Sequence, residues 1–315
     1  ILFIFTPANL FAQIFDYSET PPMQYPENNP WTQEKEALGK LLFFDPLLSG
    51  NNLISCGTCH LLKFGWSDNK KKNVGHAGDK MPRNTPGLFD TGYYKSFFLD
   101  GRSKSLEQQA LGPIKSKKIM GQNLDELIIE LNNISEYVQT FKSVFGDQGI
   151  TVQNIAKALA TFERSIVSGT SRFDLYFQNQ KSALTPSEIR GMKVFFGKGK
   201  CSICHNGPLF SDNLFYNIGV EKGNRENQDL GRFRVTKKEY HKGAFKTTSL
   251  RNISKTAPYM HDGSLESLEK VVDFYNRGGE DDKNKSPFIE VIGLNKLERA
   301  DLINFMKSLD TIISP

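Results

Sequence analysis

Apolar residues recur at helical spacing in three parts of the chain. Val152, Ile155, Ala156, Leu159, Phe162 and Ile166 form one stripe, and Leu302, Ile303, Met306 and Leu309 form another near the C-terminus. A third set, Leu127, Ile128, Leu131, Ile134, Val138 and Phe141, predicts one helix over 124–145 with a single apolar face. Two more helices are marked by their starts. Thr32 opens T-Q-E-K-E-A-L-G-K-L-L-F-F and Thr185 opens T-P-S-E-I-R-G-M-K-V-F-F. Each Thr suits an N-cap, and in the second helix Pro186 at N1 and Glu188 at N3 complete a capping box. Both carry a Gly, three further residues and then Phe-Phe: Gly39 with Phe43 and Phe44, Gly191 with Phe195 and Phe196. The stripes predict core, and the paired aromatics predict a surface offered to whatever comes next. The stretches 65–102 and 206–250 are rich in Gly, Asn and Asp and long for connections, which points to function, with short strand ribbons within them.

What comes next is the chemistry. All four cysteines lie in two pentapeptides, C-G-T-C-H (56–60) and C-S-I-C-H (201–205), although the chain has only five histidines. Two thiols three positions apart can each form a thioether to one vinyl group of a single porphyrin, and the adjacent His then lies beneath the ring with a nitrogen for iron. The spacing therefore predicts two covalently attached c-type haems, held by Cys56, Cys59 and His60 and by Cys201, Cys204 and His205. Two alternatives use the same residues. A thioredoxin-type redox pair needs C-x-x-C at a strand-to-helix turn, and no strand pattern precedes either site. A four-thiolate zinc site leaves both histidines unexplained and must close the stretch from Cys59 to Cys201.

Composition narrows the class without adding a partner. The chain has 315 residues, 38% hydrophobic and 24% charged, with a net charge of +5, as in a globular protein of two ordinary domains. Lys70 to Lys72 and the group Lys115, Lys117 and Lys118 are basic clusters that solvated loops explain, so no nucleic-acid partner is expected. The opening ILFIFTPANLFAQ is too short to span a bilayer and contains a proline, so no stable membrane insertion is expected. It reads as the tail of a secretory signal with cleavage after Ala12, or as a buried apolar segment. The predicted architecture is mainly α. After a leader over 1–19 come two packed cytochrome c-like helical haem domains, 20–170 and 171–315, joined near Gly169.

With two such units in place, the residues between the motifs become recognisable. G-H-A-G (75–78), P-R-N-T-P (82–86), D-G-R-S-K-S-L-E-Q-Q-A-L-G-P (100–113) and T-T-S-L-R-N-I-S-K-T-A-P-Y-M-H-D-G (247–263) are spread along the chain in order. The chain resembles the bacterial dihaem cytochrome c peroxidase/MauG family. The resemblance implies a periplasmic oxidoreductase that reduces hydrogen peroxide with electrons from a small cytochrome c or cupredoxin. The C-terminal domain would accept electrons and the N-terminal domain would be peroxidatic. Family members are often dimers, which extends the expectation to a homodimer. The resemblance also implies a calcium ion, held by the Asn84 side-chain carbonyl and the backbone carbonyls of Thr256 and Pro258, hard oxygen donors that suit it. On the residues alone, Asn84 can equally cap a turn before Thr85-Pro86.

Three positions distinguish branches of the family. The sixth ligand of the second haem, Met in the peroxidases and Tyr in the MauG branch, falls on Tyr275, which otherwise reads as one more aromatic on a helix face. His76 matches a histidine that caps the first haem in many of the peroxidases, and it equally reads as an exposed loop residue. Gln109 and Pro113 match the peroxide pocket, but Ile119 stands where the family has an acid-base Glu, and Leu99 where it has a relay Trp. An Ile cannot move a proton to the leaving oxygen, so the resemblance implies slow O–O cleavage. Oxidation of a partner through stored oxidising equivalents and plain electron carriage are the competing roles.

Overall fold

The computed structural model describes residues 20–220 and 228–312. The apolar leader and its cleavage point at Ala12 lie outside the described residues. The chain divides into two compact units, an N-terminal one of Met23–Phe98 with Arg102–Val167, and a C-terminal one that takes Leu99–Gly101 and Ser168–Pro315.

The N-terminal unit is helical. Its elements are α1 (Gln33–Phe44), the single turn α2 (Cys56–Cys59), α3 (Leu106–Lys115), α4 (Leu124–Asn132), α5 (Ser135–Phe145) and α6 (Val152–Ser165). Thr32 caps α1 by accepting from the Lys35 N–H. The stripe on α6 buries Ile155, Leu159 and Phe162 against Leu38, Leu42 and Phe43 of α1. Gly39 makes that crossing tight. A Cβ there would stand 2.0 Å from the Ala158 carbonyl oxygen, so a helix position at which Ala usually stabilises accepts only hydrogen.

Residues 124–145 are two helices, not the single one their periodicity predicts. Asn132 turns its side-chain amide back to the Ile128 carbonyl at 2.7 Å, and Ile134 takes an extended conformation as the N-cap of α5. Asn side chains compete for backbone groups, which favours ending a helix there. The new helix starts in a different phase. Tyr137 and Phe141 are buried, while Val138 is 37% exposed.

The C-terminal unit repeats the plan with α7 (Arg172–Phe177), α8 (Pro186–Phe196), α9 (Phe233–Thr236), α10 (Leu268–Asn276) and α11 (Lys296–Lys307). The capping box of Thr185 and Glu188 starts α8 as its sequence predicts. Gly191 does for α8 and α11 what Gly39 does for α1 and α6: a Cβ would meet the Asp301 carbonyl oxygen at 1.9 Å. Phe195, Phe210 and Phe305 fill the core beneath. Extended structure is sparse among the described residues. The one ribbon pairs β1 (Phe215–Tyr216) with β2 (Phe245–Lys246) antiparallel, and 65–102 contributes only isolated bridges.

Candidate functional site

Each Cys-x-x-Cys-His segment is closed by its own backbone. The His60 N–H donates to the Cys56 carbonyl at 2.9 Å, and the His205 N–H to the Cys201 carbonyl at 2.9 Å. The first segment is an α-turn, the second a 3₁₀ turn over Cys201–Ile203. Aromatics from the preceding helix frame the first. Phe44 covers Gly57, and the Phe43 ring centroid lies 6.2 Å from that of His60.

The imidazoles are oriented alike. His60 Nδ1 donates to the Trp66 carbonyl at 2.8 Å, and His205 Nδ1 to the Phe210 carbonyl at 2.8 Å. A carbonyl can only accept, so each ring carries its proton on Nδ1 and presents the Nε2 lone pair, the arrangement a metal-binding imidazole requires. Burial lowers the pKa of both histidines and keeps them neutral.

The thiols are also held protonated. Burial pushes Cys59 and Cys204 to about 11, Cys201 to about 12 and Cys56 higher still. A dithiol redox centre needs the opposite shift, which counts against the thioredoxin alternative. Among the described residues the four cysteines are free of disulfides, and no group of three or more His, Cys, Asp or Glu could hold a metal ion. Two neutral thiols beside one oriented imidazole, built twice, is the donor set that fits a covalently attached haem.

The supporting residues escape a motif search, although a repeat announces them. Trp66-Ser67-Asp68-Asn69 and Phe210-Ser211-Asp212-Asn213 follow the two motifs. Trp66 and Phe210 have φ of 61° and 53°, Asn69 and Asn213 of 54° and 59°. Left-handed backbone at a bulky aromatic is unusual, and here it accompanies the carbonyls that receive the imidazoles. Ser67 Oγ donates to the Thr85 carbonyl at 2.7 Å and Ser211 Oγ to the Thr247 carbonyl at 2.8 Å, which ties each loop to a later segment. In the C-terminal unit Arg251 adds a buried fork to Asp174, both contacts at 2.8 Å, and donates from Nε to the Pro208 carbonyl at 2.6 Å.

The remaining predicted residues fall in several places. Tyr275 lies near the end of α10, half-buried, and the Cys204 and Cys201 sulfurs are close enough to act on its phenol. Burial first, then those sulfurs, raise its pKa well above the usual tyrosine value. Gln109 and Pro113 are one turn apart on the same face of α3. Ile119 follows in a turn that packs on the N-terminal core. His76 is seated on that same turn. Its N–H donates to the Ile119 carbonyl at 2.8 Å, its Nε2 lies 2.9 Å from the Lys117 carbonyl, and its ring rests on Gly121. Leu99 groups with the C-terminal unit, its carbonyl accepting from the Lys246 N–H at 2.8 Å. Asn84 belongs to the N-terminal unit and donates its amide to the Lys70 carbonyl at 2.8 Å. Thr256 and Pro258, in the C-terminal unit, flank the cis Ala257–Pro258 peptide.

One carboxyl in the N-terminal unit lacks a role in the sequence reading. Glu163, 6% exposed, lies in the last turn of α6 with Oε2 unbonded, close enough to act on the Cys56 thiol. The neighbouring Arg164 is already committed to Glu107, at 2.7 and 3.2 Å.

Comparison with known proteins agrees with this geometry. Residues 33–182 match the family model described as di-haem cytochrome c peroxidase. The chain is 40% identical to the methylamine utilization protein MauG of Methylorubrum extorquens, over 90% of this chain and 80% of that one. It is 38% identical to the cytochrome-c peroxidase IdrP1 of Pseudomonas sp. strain SCT, over 92% of this chain and 84% of that one. Among solved structures, a MauG-like protein associated with microbial copper homeostasis superposes with a TM-score of 0.87 at 32% identity, covering 94% of each chain.

Proposed function

The chain belongs to the bacterial di-haem cytochrome c peroxidase family, and from that premise we propose that it reduces hydrogen peroxide with electrons from a small redox protein in the periplasm. As a member it is a peroxidase-like di-haem c-type oxidoreductase. One observation carries the assignment of residues: a buried, neutral imidazole, fixed through Nδ1 by a backbone carbonyl beside two protonated thiols, occurs once in each unit. Cys56 and Cys59 would hold the first haem and Cys201 and Cys204 the second, with His60 and His205 offering their Nε2 lone pairs to the iron. The haems would supply iron that changes oxidation state by one electron at a time.

Everything else falls to the chain's own side chains. The Trp66 and Phe210 carbonyls hold the imidazole protons on Nδ1 and raise the basicity of the coordinating nitrogens. In the N-terminal unit Gln109 and Pro113 line the peroxide side, and Gln109 can orient a peroxide oxygen by hydrogen bonding. Ile119 excludes water without offering a proton, so protons reach the leaving oxygen by a slower route. In the C-terminal unit Tyr275 would be the second side chain to hold the haem iron, while in the N-terminal unit His76 rests with Nε2 2.9 Å from the Lys117 carbonyl. Calcium belongs to the same proposal, with Asn84 Oδ1 and the Thr256 and Pro258 carbonyls as oxygen donors. Export rests on the secretory reading of the leader. No helix among the described residues is long and apolar enough to cross a membrane.

Tyr275 favours a second reading, oxidation of a partner through stored equivalents, because an anionic phenolate stabilises ferric iron and disfavours accepting electrons. Steady-state peroxide consumption with a reduced small cytochrome separates the two. Peroxidase function predicts slow catalytic turnover in the native protein, raised in Ile119→Glu by up to the roughly 10²- to 10⁴-fold that a placed acid-base group contributes. Loss of the haem absorption at stoichiometric peroxide without turnover supports the second reading instead. Rapid turnover by the native protein would show that another group already carries the proton.

A further inference from the structure

Tyr216 sits on β1 with its hydroxyl donating to Asp212 Oδ2 at 2.7 Å. Asp212 is locked in place. Its N–H donates to the Cys204 carbonyl at 2.9 Å, and its Oδ1 accepts from the Leu214 N–H at 2.8 Å. The Tyr216 hydroxyl is also close enough to the Cys204 sulfur for the two groups to act on each other. A phenol thus touches at once a fixed carboxylate and the atom that would join the second haem to the chain.

The internal repeat shows that the scaffold does not require a phenol there. Asp68 is the counterpart of Asp212, and it accepts from the Lys70 N–H at 2.9 Å and from the Thr85 hydroxyl at 2.5 Å. Cys59 is the counterpart of Cys204, and its sulfur receives the Asn73 amide at 3.2 Å. An aliphatic hydroxyl and an amide fill the same two roles in the N-terminal unit, and neither can be oxidised under these conditions. Only the C-terminal unit places an oxidisable ring on both partners.

We propose that Tyr216 is a one-electron reservoir of the second haem, with Asp212 as its proton acceptor. This rests on the peroxidase-family reading for its natural oxidant, hydrogen peroxide. Reduction of one peroxide to two waters takes two electrons and two protons. When the protein holds one reducing equivalent on its haem pair and donor is short, that equivalent supplies the first electron and Tyr216 the second. The phenol O–H bond breaks, its electron leaves through the contact at Cys204, and its proton passes to Asp212 Oδ2. The products are a neutral tyrosyl radical and a protonated Asp212, and the two protons of the waters come from solvent. Burial, with Asp212 beside it, raises the phenol's pKa, so its proton leaves with the electron and not before. A reduced small redox protein later returns the electron, and Asp212 returns the proton.

The test uses the haem-loaded protein, reduced by one electron, mixed with one equivalent of hydrogen peroxide and frozen. The expected result is an organic-radical EPR signal that narrows with ring-deuterated tyrosine. It should disappear in Tyr216→Phe and weaken in Asp212→Asn, while both variants keep two covalent haems and the native resting spectrum. An undiminished signal in Tyr216→Phe overturns the proposal, and so does a native protein that consumes peroxide without any tyrosyl signal. Photo-oxidation by flash-quenched ruthenium tris-bipyridine removes an electron without peroxide. If peroxide proves inert but this arm gives a radical that Tyr216→Phe lacks, the reservoir stands and the peroxidase reading falls. No Tyr216-dependent radical in either arm overturns the reservoir itself.

Discussion

Replacing Glu163 by Gln should flatten the pH dependence of stability in the N-terminal unit. Glu163 is 6% exposed, its Oε2 is unbonded, and Arg164 is engaged by Glu107. Burial raises its pKa from 4.5 to about 8, with Arg164 acting to lower it and Glu107 to raise it. A carboxyl whose folded pKa is raised binds a proton more tightly in the native state. Its contribution is therefore complete below the unfolded pKa and is lost as pH rises through the folded one. At about 1.4 kcal/mol per unit, the loss between pH 4.5 and pH 8 is on the order of 5 kcal/mol, an upper figure for a site that relaxes on ionising. Glutamine keeps the shape and cannot ionise, so the variant should be the more stable protein at pH 8 and close to native at pH 5. Both tryptophans, Trp31 and Trp66, lie in this unit, so urea unfolding followed by their emission reports on it. Parallel native and variant stabilities from pH 5 to pH 8 would refute the reasoning and show that Glu163 ionises freely.

Two further outcomes follow from the C-terminal unit. Arg251→Met leaves Asp174 buried without its fork and should cost roughly 3–5 kcal/mol in urea unfolding, whereas loss of under about 1 kcal/mol would mean that water replaces the guanidinium. Tyr275→Phe should abolish any phenolate-to-iron charge-transfer band, and Tyr275→Met should raise the potential of the second haem in a redox titration. Unchanged spectra in Tyr275→Phe would make the residue packing only.

Much of the fold was legible because the chain states it twice. The caps at Thr32 and Thr185 and the Gly-to-Phe-Phe spacing read as helix signals, and the close crossings at Gly39 and Gly191 account for the glycines physically. The break between Asn132 and Ser135 was hidden because apolar residues continue at helical spacing across it, and periodicity is blind to local competition by Asn side chains. At the site, cysteines and histidines announce themselves by spacing, whereas the Trp66 and Phe210 carbonyls have no side-chain signature. Only the repeated aromatic-Ser-Asp-Asn could have revealed them. Arg251 and Asp174 meet across 77 positions, a pairing no local pattern encodes. Glu163 carries no local signal of its burial, which appears only in the folded unit.

The central claim, that both Cys-x-x-Cys-His segments carry covalent haem, is tested most directly by counting haem in denatured protein. The pyridine haemochrome assay should find two haems per chain that survive acid-acetone extraction, and Cys201→Ala with Cys204→Ala should leave one. Recovery of the haem in the acetone phase, or a native protein with fewer than two per chain, would contradict the account.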